Sequence, residues 1–206
     1  MLRRTTCSLW ILATFASVSH AQHGAGGAAP AARPPAEAAQ FDFLLGQWEL
    51  VVRLPGPGGL AERIHGAPKL LGSWKAWRAF DGWGIEDELR LVDESANPRA
   101  LSHTMRIYDP AARRWSSAAL DVYRARFSQG TGEWKAGELR LEGRSSDPDG
   151  PPVLTRSRFY DIRPASFRFQ QDRSRDDGRT WQQGTLRIEA KRVGDPSGAG
   201  RPRDGR

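Results

Sequence analysis

Apolar and polar residues alternate along most of the chain from residue 47 onwards, and turn-forming runs of Gly, Pro, Asp and Asn interrupt the alternation. This pattern is typical of β-strands joined by short loops. Successive strands with short loops favour antiparallel pairing, and a meander of about ten of them closes best as a barrel. We therefore predict an all-β fold, a single antiparallel up-and-down β-barrel of about ten strands; an open two-sheet sandwich is the alternative. The predicted strand segments lie near residues 47–53, 69–79, 83–92, 100–108, 113–122, 123–128, 132–135, 138–143, 153–162, 166–172 and 180–190.

The stretch before the first strand has a different period. Phe41, Leu44 and Leu45 fall at i, i+3 and i+4, which places them on one face of a short helix. Gly46 stands where a helix stop is expected, and a strand pattern follows it. We predict a short N-terminal helix that plugs one end of the barrel. The residues to which we assign this structural role are Phe41, Phe43, Gly46 and Trp48.

The two ends of the chain do not have the composition of a packed core. Residues 1–21 combine Arg3 and Arg4 with a short apolar run and small residues before position 22, which is typical of a signal peptide, although a retained anchor is the alternative. We expect a periplasmic or secreted protein without a transmembrane segment after cleavage. Residues 22–37 predict a flexible spacer and residues 194–206 a disordered basic tail. The β-barrel domain is predicted to span residues 38–193.

Cysteine usage and charge exclude several functions. The one cysteine, Cys7, lies in the predicted signal peptide, so the mature chain would have no thiol for a disulfide, a nucleophile or a metal site. The whole chain carries a net charge of +7, but residues 41–190 hold 23 basic and 21 acidic side chains, a net charge of +2. The positive charge is therefore mostly in the ends, and we predict no nucleic-acid binding. The oligomeric state stays open.

One group of polar residues is predicted to face the barrel interior. If the strands near 83–92 and 100–108 form a hairpin about Ala96, Asp87 pairs with Met105 and lies diagonal to His103. The register carried through the next turn adds further side chains to this face. The candidate ligand-binding residues are Asp87, His103, Met105, Ser117, Asp121 and Tyr123. Because buried polar groups need partners, the group forms either a satisfied hydrogen-bond network or the lining of a ligand cavity.

Three short motifs carry a resemblance to known barrels. Gly46-Gln47-Trp48 resembles the Gly-x-Trp signature on the first strand of lipocalins and related calycin barrels such as nitrobindin. In lipocalins this Trp packs under an Arg of the last strand, which makes Arg187 the candidate here. With Tyr108-Asp109-Pro110 and Asp177-Gly178-Arg179-Thr180-Trp181, the longer string 41–48 is similar to a group of uncharacterised bacterial exported proteins. The resemblance covers about residues 41–192 and implies a calycin-like fold without an established activity.

The residues assign no catalytic group and no metal ligand. Ser117, His103 and Asp87 are residue types that a hydrolase uses, but no Gly-x-Ser-x-Gly elbow and no His-x-His or His-Glu-x-x-His pair occurs. Nitrobindin-like barrels hold haem through a histidine nearer the C-terminus than His103, so the cofactor stays unknown. We predict that the protein binds a small apolar or amphipathic molecule. The alternatives are a non-catalytic interaction module with a filled core, or a hydrolase or haem binder that uses His103.

Arginines alternate with apolar residues on the later strands. Arg156, Arg158 and Arg168 could hold a carboxylate or phosphate if they face inward. If they face outward, their aliphatic stems cover the apolar surface of the barrel. The sequence favours the outward orientation.

Overall fold

A closed barrel of ten antiparallel strands forms the protein, with each strand paired to its neighbours in sequence and the first paired to the last. This computed structural model describes residues 33–56, 63, 66–147 and 150–194, and only the backbone of residues 146, 147, 150 and 151. The all-β up-and-down barrel is confirmed, and the open sandwich is excluded. The strands are β1 (Gly46–Arg53), β2 (Lys69–Ala79), β3 (Gly84–Val92), β4 (Pro98–Asp109), β5 (Arg114–Asp121), β6 (Arg126–Lys135), β7 (Glu138–Asp147), β8 (Gly150–Arg163), β9 (Ser166–Ser174) and β10 (Gln182–Gly194).

The predicted segments 123–128 and 132–135 fall within a single strand, β6, except that residues 123–125 lie in the turn before it. The gap between the two predicted segments implied a turn at Gln129-Gly130, but β6 runs through both residues. Gly130 pairs with Ser117 on β5 and with Gly143 on β7, so its backbone is held extended on both sides. A Cβ at Gly130 would lie 2.6 Å from the carbonyl oxygen of Glu142. The glycine here serves the close approach of two strands and not a turn.

A 3-10 helix, Ala36–Leu44, closes one end of the barrel. Its buried residues are Ala38, Phe41 and Leu44. They are three positions apart because a 3-10 helix has three residues per turn. The ring of Phe41 packs edge-on against Trp115 with 4.6 Å between the centroids, and Trp48 Nε1 donates to the carbonyl oxygen of Leu44 at 2.7 Å. The helix begins inside the segment that we predicted as spacer, whereas the predicted signal peptide and the residues from 195 onwards lie outside the described residues.

Aromatic side chains fill the half of the barrel next to this helix. Trp48 packs against Phe167 with 4.7 Å between the ring centroids, and Phe159 packs against Phe169 at 4.9 Å. Trp48, Phe159 and Phe167 are almost completely buried. Among the described residues, no helix has both the length and the apolar character needed to cross a lipid bilayer.

The arginine that packs on Trp48 is Arg192 and not Arg187. The guanidinium of Arg192 lies 4.1 Å from the Trp48 ring centre, and it donates to the carbonyl oxygens of Phe43, at 2.9 Å, and Leu45. Arg192 pairs directly with Trp48 across β1 and β10, whereas Arg187 pairs with Arg53 near the other end of β1 and is exposed. The prediction for Arg187 was wrong because the motif fixes the tryptophan but not the register of the last strand.

The predicted pairing of β3 with β4 is one residue out of register. Asp87 pairs with Thr104 and not with Met105, because the ladder shifts between Leu91 and Val92 just before the turn. A shift of one residue moves every side chain of a strand to the opposite face. His103 and Met105 therefore lie on the outside of the barrel.

Candidate functional site: the interior cavity

The half of the barrel away from the helix contains a cavity of about 600 Å³. One part of its wall is apolar, and another part carries hydroxyl and amide groups. The apolar part includes Trp74, Leu89, Phe169, Leu186 and Ile188. The polar part includes Ser102, Thr104, Ser117, Ser128, Ser157 and Gln171. The inward positions thus change from large and aromatic near the helix to small and polar further along the strands.

The floor of the cavity contains a buried ion pair between Arg106 and Asp87. Trp74 Nε1 donates to Asp87 Oδ1 at 2.8 Å, and the Arg106 guanidinium lies 5.2 Å from the ring centre of Phe41. Burial lowers the pKa of Arg106 to about 9, so the guanidinium still carries its charge at neutral pH. The pair separates the cavity from the aromatic core and matches one positive charge with one negative charge.

Arginines surround the mouth of the cavity, and those that contribute to the lining are Arg124, Arg126, Arg144, Arg173 and Arg175. Arg124 forms an ion pair with Asp121, with 2.8 Å between Nη1 and Oδ2. Arg173 donates from Nη2 to Gln171 Oε1 at 3.4 Å, and its buried Nε has no hydrogen-bond partner. Burial, followed by the charges of Arg175 and Arg124, lowers the pKa of Arg173. The mouth therefore holds like charges close together.

Three of the six candidate ligand-binding residues line the cavity: Asp87, Ser117 and Asp121. Ser117 and Asp121 face inward because Tyr108 pairs with Trp115 across the turn between β4 and β5. The pairing at this turn is also one residue away from the predicted one, which cancels the shift between β3 and β4. The side chains of β5 therefore point to the predicted face. A ligand-binding role for these three residues stays a prediction.

The other three candidates lie elsewhere. Met105 and Tyr123 are 42% and 52% exposed. His103, on the outer face, packs against the ring of Trp77 at 5.8 Å, and its Nε2 lies 3.8 Å from Glu86 Oε2. The register places His103 and Met105 on the outer face, and Tyr123 lies in the turn between β5 and β6, so the interior face that we predicted for these three residues was wrong. His103 cannot act with Ser117 and Asp87, because the sheet lies between them, nor can it ligate a haem in the cavity.

Sequence reasoning missed the inward arginines, Arg106 and Arg173. Arg106 lies two positions before Tyr108 on β4, so both side chains point to the same face of the sheet. The pairing of Tyr108 with the inward Trp115 would therefore have placed Arg106 inside the barrel. The signal for that pairing is Asp109, whose Oδ1 accepts hydrogen bonds from the backbone N–H groups of the next turn. For Arg173 we find no local signal.

The arginines that the sequence did single out face outward. Arg156 stacks on Trp181 at 3.9 Å and Arg158 on its strand neighbour Tyr160 at 4.3 Å. Arg168 pairs with Asp161, with 3.2 Å between Nη1 and Oδ2. These arginines cover the outer surface of the barrel.

No protein-family model and no curated protein matches this chain. Within the part of the chain that the structure describes, no three His, Cys, Asp or Glu side chains converge on a point where they could hold a metal ion.

Proposed function

We propose that the barrel binds a small amphipathic molecule in its interior cavity. The observation that supports this is a cavity of about 600 Å³ whose lining combines apolar side chains with hydroxyl and amide groups. Ligand sites of small molecules usually have volumes of roughly 300–1,000 Å³ and combine apolar surface with a few polar groups. A ligand with an apolar and a polar end matches both kinds of lining group, whereas a purely apolar ligand would form no hydrogen bond with the polar ones.

Catalysis is not part of this proposal. Ser117 Oγ donates to the carbonyl oxygen of Gly130 at 3.3 Å, and the imidazole of His103 is on the other face of the sheet. A serine nucleophile needs a base within hydrogen-bond reach. Ser117 is therefore proposed as a wall residue.

Two neighbouring serines on β5 allow a direct test. Ser117 faces the cavity, whereas Ser116 faces outward and is exposed. A tryptophan at Ser117 would occupy the cavity, and a tryptophan at Ser116 would not. The measurement is titration with the neutral fluorescent probe N-phenyl-1-naphthylamine, with circular dichroism to confirm that both variants fold. We expect Ser117→Trp to bind at least tenfold more weakly than the wild type and Ser116→Trp to bind equally well. Equal binding by the two variants would contradict the interior site.

We also propose that residues 1–21 direct export and are removed, as their composition predicts. Intact-mass measurement on periplasmic protein should give a chain that begins at Gln22; retention of Met1 would contradict cleavage. Native mass spectrometry on the same sample should reveal any co-purified ligand as a mass shift that disappears on unfolding.

A further inference from the structure

We infer that the polar end of the ligand is an anion, a carboxylate or a phosphate, held at the cavity mouth by Arg173 together with Arg175 and Arg124. The inference rests on the proposed function, because it names the chemical class of the molecule that enters the same cavity. It is carried by the geometry of Arg173 and by the balance of charge at the mouth.

Arg173 is a half-buried side chain whose N–H donors are not all used in hydrogen bonds. It stands on β9 two positions after Gln171, and both residues line the cavity. Its Nε is buried without a hydrogen-bond partner, and its Nη2 makes only a long bond of 3.4 Å to Gln171. A guanidinium presents several N–H donors in a planar fork that matches a carboxylate or phosphate. A buried donor without a partner is costly, and a bound anion would remove this cost.

Among the described residues, arginines outnumber carboxylates at the mouth of the cavity. Within the described residues, no carboxylate lies within ion-pair distance of Arg173 or Arg175. Asp121 is held by Arg124, and Asp176 accepts hydrogen bonds from Thr180 and Ser174. Burial, and after it the neighbouring charges of Arg175 and Arg124, lower the pKa of Arg173. An anion would relieve this repulsion.

The floor of the cavity does not offer an equivalent site. Arg106 is already paired with Asp87, so an anion there would compete with a buried carboxylate. Between the floor and the mouth lie the apolar side chains of Phe169, Leu186 and Ile188. The charged group therefore sits at the mouth, and the apolar part of the molecule extends inward.

Four probes with the same eight-carbon chain test the head group: octanoate, octyl phosphate, octan-1-ol and octylammonium. Their affinities are measured by isothermal titration calorimetry at low salt with the wild type, Arg173→Met and Arg175→Met. We expect both anions to bind at least tenfold more tightly than octan-1-ol, and octylammonium to bind most weakly. Arg173→Met should weaken anion binding about tenfold, which is the loss of one charge-assisted hydrogen bond, and leave octan-1-ol within twofold. The tighter of the two anions identifies the head group.

Arg168→Met is the matched control, because Arg168 is on the same strand but faces outward and pairs with Asp161. It should leave all four affinities unchanged. If Arg173→Met does not fold, Arg175→Met should still lower anion affinity selectively. Equal affinities for octanoate and octan-1-ol, or an equal loss for both in the arginine variants, would overturn the anion site and leave the proposed function intact. Binding of none of the four probes would overturn both.

Discussion

Arg106 and Asp87 form an ion pair inside the barrel, where their side chains are 7% and 1% exposed. Trp74 donates to the same carboxylate, so three strands, β2, β3 and β4, meet at one charge. Both charges are removed from water, which is tolerated only while each keeps its partner. The pair therefore defines the boundary between the filled and the hollow half of the barrel.

Removal of one partner should destabilise the fold strongly. Asp87→Ala leaves the charge of Arg106 buried without compensation, and we expect the free energy of unfolding in urea to fall by about 3–5 kcal/mol. The double variant Asp87→Leu with Arg106→Met removes both charges and should recover most of this loss. A double variant no more stable than Asp87→Ala would show that the pair contributes more than mutual neutralisation.

The helical plug should depend on Phe41. Phe41 is fully buried between Trp115 and Phe159, whereas Phe127 near the mouth is 66% exposed. Truncation of a buried phenylalanine costs about 3–5 kcal/mol, and an exposed one changes stability by roughly 0.5 kcal/mol or less. We therefore expect Phe41→Ala, but not Phe127→Ala, to lower the urea midpoint markedly. Similar midpoints for the two variants would mean that the helix is not part of the core.

Arg192 should stabilise the junction of the helix with β1. Its guanidinium stacks on Trp48 and bonds two carbonyl oxygens at the end of the helix. We expect Arg192→Met to cost about 2–4 kcal/mol of unfolding free energy and to shift the Trp fluorescence to longer wavelength. Arg187→Met, at an exposed position of the same strand, serves as the control and should change neither. A large effect of Arg187→Met would contradict the observed register.

The sequence was sufficient for the architecture because the barrel depends on period and turns. Alternation along each strand and the spacing of Phe41 and Leu44 predict the strands and the plug without any long-range contact. The orientation of β4 was not predictable in the same way. It depends on a register shift between Leu91 and Val92, beside a five-residue turn. The shift does not change the alternation of apolar and polar residues around His103, so the sequence pattern does not reveal it.

The polar cavity was also partly hidden. Asp87, Ser117 and Asp121 were identified because the inward face of β3 and of β5 was predicted correctly. Arg106 was missed because the inward face of β4 was not. Arg173 is one of many arginines in an alternating stretch, and only the closed barrel distinguishes it from the outward Arg168. The cavity lining is consequently more cationic than the six candidate residues indicated, since none of them is basic except His103.

Asp176 should titrate at unusually low pH. Hydrogen bonds from the Thr180 hydroxyl, at 2.6 Å, the Thr180 backbone N–H and Ser174 lower its pKa from 3.8 to about 2. Because the folded value is below the unfolded one, its contribution to stability is complete above about pH 4 and is lost as the pH falls towards 2. We expect Thr180→Val to raise this pKa, measured by NMR of the carboxyl carbon, and Thr131→Val, at an exposed site on β6, to leave it unchanged. An unaltered pKa in Thr180→Val would reject the hydroxyl as its main cause.

A substitution at Ala96, in the turn between β3 and β4, should increase the stability of the fold. Ala96 has a φ of 63°, in the left-handed region that costs an alanine about 1–2 kcal/mol, and it donates to the carbonyl oxygen of Asp93 at 2.9 Å. Glycine adopts this conformation without steric cost, although it loses more backbone entropy on folding. We expect Ala96→Gly to raise the free energy of unfolding in urea by about 0.5–1 kcal/mol, and Ala112→Gly, at an exposed turn position without a positive φ, to lower it by a similar amount. Because Asp93 Oδ1 also accepts from the backbone N–H groups of Ser95 and Asn97, the turn should keep its length and its register in the glycine variant. Destabilisation by Ala96→Gly would contradict the left-handed conformation at Ala96.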